Sequence, residues 1–189
     1  MIKKVETQQD LHIFNSIWMK AWEEKGFEYE FTAGDSYLIY QDEAAAGTVQ
    51  FAAYEPESAE DMHRVFQFCG LKKIKDNLER IFIIDKFAVK KEYRSSQILD
   101  LMMYCVFDYA ERNRKSYSIA LIDPLFYRLL RFQYHFNIEQ AGKRAIYKGA
   151  DVIPIIIDTH YFLSCKEQYA WYNHIASSLQ SQQQTVASY

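Results

Sequence analysis

The chain has 189 residues, 49% hydrophobic and 25% charged, with a formal net charge of -3. This fits one soluble domain with a sizeable core and argues against a chain-wide nucleic-acid binder, although a local basic patch is still possible. The polar opening "MIKKVETQQD" does not read as a signal peptide, and no apolar run reaches the roughly 18–20 residues that span a bilayer. Cys69, Cys105 and Cys165 lie far apart without a CxxC pair, which reads as reduced packing residues in a cytoplasmic protein. Fifteen Tyr and thirteen Phe imply large aromatic surfaces in a core or pocket.

In chain order, Leu11, Phe14, Ile17, Trp18, Ala21 and Trp22 recur at helical spacing, and Gly26 is a stop. Tyr37 to Tyr40 and Thr48 to Tyr54 read as two strands of a hairpin around a polar loop. Residues 58 to 78 read as helical, with Lys72, Lys73 and Lys75 towards the end as either a docking face or solvated surface. "RIFIIDKFAV" is a nearly continuous apolar run, suited to a central strand. A helix over 96–113 follows, with Ile98, Leu101, Met102, Cys105, Val106 and Tyr109 on one face and Ser95 or Ser96 as its cap. "YSIALID" is a strand ended by Pro124, "LFYRLLRFQYHF" a short helix and "DVIPIIID" a late strand. The domain is expected over 1–176, and the polar stretch 177–189 as a frayed tail. The order implies an α/β fold with a mixed sheet.

Two features carry chemistry. Lys86, Lys90, Lys91 and Arg94 surround the mouth of the long helix, whose unpaired N–H groups already attract anions, so a phosphate clamp is one reading and a solvated basic turn the other. Asp85 sits inside an apolar strand. Burial would raise its pKa and suit a general base; the alternatives are an ion pair with Lys86 or Arg94, or a bulge that turns it to solvent. Glu79 is a poorer candidate on the approach to that strand. Trp18, Trp22 and Phe27 could border a pocket or pack the core. The five histidines show no ligand spacing, so no metal is expected, and no G-x-S-x-G motif suggests a hydrolase.

Strand, basic turn, helix, strand, short helix, strand resembles the GNAT acyltransferase fold. The segment Arg94, Ser95, Ser96, Gln97, Ile98, Leu99 is similar to that family's [Q/R]-x-x-G-x-[G/A] pyrophosphate turn, with Arg94 kept and Gln97 and Leu99 in place of the glycines. Pro124, Phe126, Tyr127, Arg128, Leu130 and Phe132, then Tyr147 and Gly149, then Pro154 to Asp158, resemble the long-chain N-acyl amino acid synthases, with Arg131 where they have Gly. "IWMKAWEEKGFE", "AGTVQF" and "IIDKFAV" are similar to segments of the autoinducer synthases, with Gln50 and Lys86 each in place of an Arg.

The resemblance implies a GNAT-like mixed, mostly antiparallel central sheet flanked by helices. It implies an N-acyltransferase moving an acetyl or longer acyl group from coenzyme A or acyl carrier protein to a small amine. The phosphopantetheine of a carrier protein has no adenosine, so it suits a turn without glycines. The same resemblance implies donor contacts at Phe87, Ala88, Val89, Lys90, Lys91, Arg94, Ser95, Ser96 and Gln97, with a backbone N–H near Phe87 to Val89 on the thioester oxygen. Tyr127 then takes the place of a tyrosine general acid, with a core residue as its other reading. A catalytically inactive GNAT-like module that binds an acyl thioester or a protein is the competing expectation.

Overall fold

The computed structural model describes residues 1–94 and 96–186. Strands β1 (Ile2–Lys4), β2 (Asp35–Gln41), β3 (Ala44–Ala53), β4 (Ile81–Val89), β5 (Tyr117–Ile122), β6 (Ile138–Gln140), β7 (Ala145–Tyr147) and β8 (Ala150–Asp158) form one sheet in the order β1-β2-β3-β4-β5-β8-β6, with β7 also on β8. Every pairing is antiparallel except β4 with β5. Helices α1 (Gln8–Lys25), α2 (Glu60–Val65), α3 (Lys72–Lys75), α4 (Ser96–Arg112), α5 (Pro124–Phe132), α6 (Thr159–Ser164) and α7 (Ala170–Val186) complete the chain. Helix α4 is the crossover that a parallel β4–β5 pair requires.

Strand alternation assigns the two faces. Leu38 packs with Phe14, Ile17 and Trp18 of α1, whereas its neighbours Tyr37 and Ile39 pack with Ile98, Met102 and Val106 of α4. On β8, Ile156 joins Phe68 and Ile74, while Ile155 and Ile157 join Tyr127 and Leu130 of α5. The Thr7 side chain caps α1 by accepting from the Asp10 N–H, and Gly26 ends it at φ +81°. Asp123 caps α5 by accepting from the Leu125 and Phe126 N–H groups, ahead of Pro124.

Three expectations need correction. The hairpin loop is only Asp42 and Glu43, both at positive φ as a tight primed turn demands, so β3 starts at Ala44. Residues 58 to 78 are not one helix: extended backbone at Phe66 and Leu71 breaks them into short turns that bury Phe68 and Ile74. The stretch after Ser177 does not fray at that point: α7 runs to Val186, anchored through Trp171, Tyr172 and Ile175, with Tyr172 against Tyr104 of α4. No helix of the described residues is long and apolar enough to cross a membrane.

Candidate active site

Strands β4 and β5 share a register only over Ile81–Ile83 and Tyr117–Ile119. Beyond it, β4 stays with β3 through Val89, while β5 stays with β8 through Ile122. Parallel neighbours that follow different partners must part, and a gap opens between them. A β-bulge sits at this fork: Gln50 opposes Asp85, yet Thr48 opposes Ala88, so β4 carries one extra residue. Lys86 takes the strain at φ +48°. Past the bulge the Lys90 N–H donates to Ala46 O at 2.9 Å. Alternation then leaves the Val89 N–H on the opposite edge, facing the gap.

The bulge is held by a polar network. Lys86 is 3% exposed. Its ammonium donates to Thr32 Oγ1 (2.5 Å), Gln50 Oε1 (2.6 Å) and Asp85 Oδ2 (2.8 Å), which uses all three N–H bonds. It also lies 5.3 Å from the centroid of the Trp18 ring. Asp85 Oδ1 accepts the Lys86 backbone N–H at 2.7 Å, and Thr48 Oγ1 donates to the Lys86 carbonyl at 2.8 Å. Gln50 Nε2 donates to Thr32 O and Ser36 Oγ, so the amide is oriented by its own partners.

A second network stands on the same cavity, from the β7–β8 turn. The Tyr147 hydroxyl donates to Glu30 Oε2 at 2.9 Å, and Lys148 bridges Asp61 (2.9 Å) and Glu30 (3.4 Å). Burial, then the Glu30 carboxylate, push the Tyr147 phenol well above its ordinary pKa. Lys148 holds the Asp61 carboxyl below its usual range. The turn is locked to the exit of α1: the Glu28 N–H donates to Lys148 O at 2.8 Å, and a Cβ on Gly149 would stand 2.6 Å from Gly26 O.

The gap opens into a cavity of about 720 Å³. Its polar end is lined by Glu30, Thr32, Asp61, Asp85, Lys86 and Tyr147. Its inner end is apolar, walled by Leu99 and Met103 of α4, Leu129 and Leu130 of α5, and Ile155 and Ile157 of β8. At the rim, adjacent residues of α1 tie down both lips: Glu24 accepts from Arg94 before α4 (3.0 Å), and Lys25 donates to Asp123 before α5 (3.0 Å).

Among the residues expected at a site, Asp85, Phe87, Ala88, Val89 and Arg94 line the cavity, as do Trp22 and Phe27. Lys90, Lys91 and Gln97 are not among the lining residues. Ser95 lies outside the described residues, and Ser96 opens α4. Asp85 is in the ion pair with Lys86 and on the bulge, its side chain 24% exposed. Trp18 is a fully buried core residue. Tyr127 requires a correction: it is not on the cavity wall. Its ring is buried between α5 and the sheet, and its hydroxyl accepts from Arg131 at 2.7 Å. The neighbouring Phe126 faces the cavity instead. Lys73 is paired with Glu139. Glu30, Thr32, Asp61 and Tyr147 were not expected; of these only Tyr147 stood in a recognisable motif, ahead of Gly149. Among the described residues, no group of three or more His, Cys, Asp or Glu could hold a metal ion.

No protein-family model and no curated protein matches the chain. Solved structures do. FeeM, an N-acyl amino acid synthase from uncultured soil microbes, superimposes with a TM-score of 0.69 at 14% identity, over 87% of this chain and 92% of that one. BjaI, a CoA-dependent acyl-homoserine lactone synthase solved with SAM and isopentyl-CoA, gives 0.60 at 14% identity, over 89% and 81%. A putative N-acetyltransferase from Lactobacillus plantarum gives 0.59 at 11% identity, over 84% and 97%. The chain thus has the GNAT-like fold, a mixed and mostly antiparallel sheet flanked by helices, which it shares with acyl-homoserine lactone and N-acyl amino acid synthases.

Proposed function

We propose that this protein is a cytoplasmic N-acyltransferase that moves an apolar acyl group from a thioester to a small primary amine. One observation carries the reading: the β4–β5 gap, with the Val89 N–H facing it, leads into a cavity that is apolar at one end and polar at the other. A thioester laid in the gap has its carbonyl oxygen at the β4 amides and its acyl chain in the apolar end. The acceptor stands at the polar end. Asp85 takes a proton from the amine, whose nitrogen then bonds to the carbonyl carbon. The backbone N–H groups of β4 hold the oxyanion. As the C–S bond breaks, the Tyr147 hydroxyl gives its proton to the thiolate and recovers one from solvent through Glu30. The second proton on the new amide nitrogen leaves to solvent.

The donor handle is coenzyme A or the phosphopantetheine of acyl carrier protein, with Arg94 beside the first turn of α4 as its phosphate contact. BjaI, solved with isopentyl-CoA, makes coenzyme A the first donor to test. Gln97 and Leu99 in place of glycines favour a second reading, a module that binds the thioester without turning it over.

The experiment is acyl transfer from a series running from acetyl-CoA to palmitoyl-CoA, and from the matching acyl carrier proteins, to a mixture of amines, with the amide product detected by mass spectrometry. Each buried methylene is worth about 0.8 kcal/mol, so preference should rise roughly fourfold per carbon until the cavity is full. Leu129→Trp should move that limit to shorter chains. A flat dependence on chain length removes the acyl assignment of the apolar end. Donor binding without product favours the binding module.

A further inference from the structure

The hydrogen-bond inventory of the cavity narrows the acceptor. Three cationic side chains line it, Lys25, Lys86 and Arg94, and each is already in an ion pair, with Asp123, Asp85 and Glu24 respectively. Lys86 has no N–H left to give, because Thr32 and Gln50 accept the other two. Lys148, next to the polar end, is held between Asp61 and Glu30. The Tyr147 hydroxyl donates to Glu30 at rest. Carboxylates outnumber cations by one on the wall: Glu30, Asp61, Asp85 and Asp123. What the polar end offers a ligand is therefore oxygen acceptors, in a half-enclosed setting where screening by salt is weak.

We propose that the acceptor is a primary amine without a carboxylate, recognised as a cation by the carboxylates of Glu30, Asp61 and Asp85, whose oxygens can each accept a further bond beside those they already hold. This rests on the acyltransferase reading for the step that follows binding, but not for the binding itself. A free amino acid brings an α-carboxylate into this end of the cavity. It finds no cation free of an ion pair there and stands among like charges, unless it breaks a pair that holds the wall. An amine or diamine of the same side chain brings no such group and adds only a cation to a wall with one more carboxylate than cations. FeeM, by contrast, is an N-acyl amino acid synthase.

Matched pairs that differ only in the carboxylate test this: tyramine with tyrosine, and agmatine with arginine. Isothermal titration of the whole protein should show each amine binding at least about tenfold more tightly than its amino acid. The preference should shrink in Glu30→Gln and in Asp61→Asn, with melting temperature as the folding control. Equal or tighter binding of the amino acids overturns the inference, as does failure of all four to bind. Acyl transfer from decanoyl-CoA to the same four compounds runs in parallel. Amines that bind selectively but are never acylated, by any donor, leave the recognition standing and defeat the acyltransferase reading. Acylation that prefers the amino acids does the reverse.

Discussion

The two ends of the cavity are built on opposite terms. The inner end is made of methyl and methylene groups from α4, α5 and β8, and any one can be exchanged for another of similar volume at small cost. The outer end is made of named bonds: Lys86 with Thr32, Gln50 and Asp85, and Tyr147 with Glu30. There, deleting one partner strands the others. The inner end selects by quantity of apolar surface, the outer end by the kind of group presented.

The most direct way to break the contrast is Lys86→Met, which makes the outer wall resemble the inner. It removes the cation from a pair whose lysine is 3% exposed, so Asp85 loses its counter-ion and Gln50 its charged donor. Denaturant unfolding should show a loss of about 3 kcal/mol. A change below about 1 kcal/mol would mean that the outer wall tolerates exchange as the inner wall does.

A pair of tyrosines sharpens it next. Tyr147→Phe should lower turnover about 10²-fold with donor binding intact. Tyr127→Phe, in the core, should keep turnover and cost about 1 kcal/mol of stability through the lost Arg131 bond. Equal turnover in the two variants would take the phenol out of the chemistry. The folded state holds the Tyr147 proton more tightly than the unfolded chain does. Burial, then Asp35, likewise push Tyr109 up to about 12. Above pH ~10 the unfolded chain releases these protons first, so stability is full below that pH and declines as pH rises. In Tyr147→Phe the alkaline decline of unfolding free energy should be shallower.

The smallest effect lies at the rim, which belongs to neither end. Glu24 competes with any phosphate for Arg94. Glu24→Gln should tighten coenzyme A binding a few-fold at low salt and Arg94→Ala should weaken it, both fading as salt rises, as exposed pairs do. A salt-independent effect would place the phosphate contact elsewhere.

The elements around the inner end were legible in the sequence, although Leu99 and Met103 lie off the apolar face read for α4. Periodic apolar residues placed α4, and Pro124 marked the end of β5 and the start of α5. The short turns between Glu60 and Lys75 were not legible, because Phe68 buries itself against Tyr54 and Phe66 at no regular spacing. Of the outer end, only Asp85 stood out, as an acid in an apolar strand. Lys86 beside it reads as part of a basic turn unless the bulge that buries it is known. Glu30 and Tyr147 are 117 positions apart, and no local pattern brings them together. Of the two readings of Tyr127, general acid or core residue, its burial fits the second, and its neighbour Phe126 is the one that the turn of α5 presents to the cavity.

An enzyme that shelters an activated acyl group also shelters it from itself. A lysine amine is a competent acyl acceptor, and Lys86 stands on the wall of the same cavity. Held as the cation of an ion pair with every N–H bond engaged, it has no lone pair to attack with. The network that shapes the bulge thereby doubles as insulation against self-labelling. Peptide mapping by mass spectrometry after long incubation with an acyl thioester should find no adduct on Lys86, while exposed lysines such as Lys91 acquire it slowly.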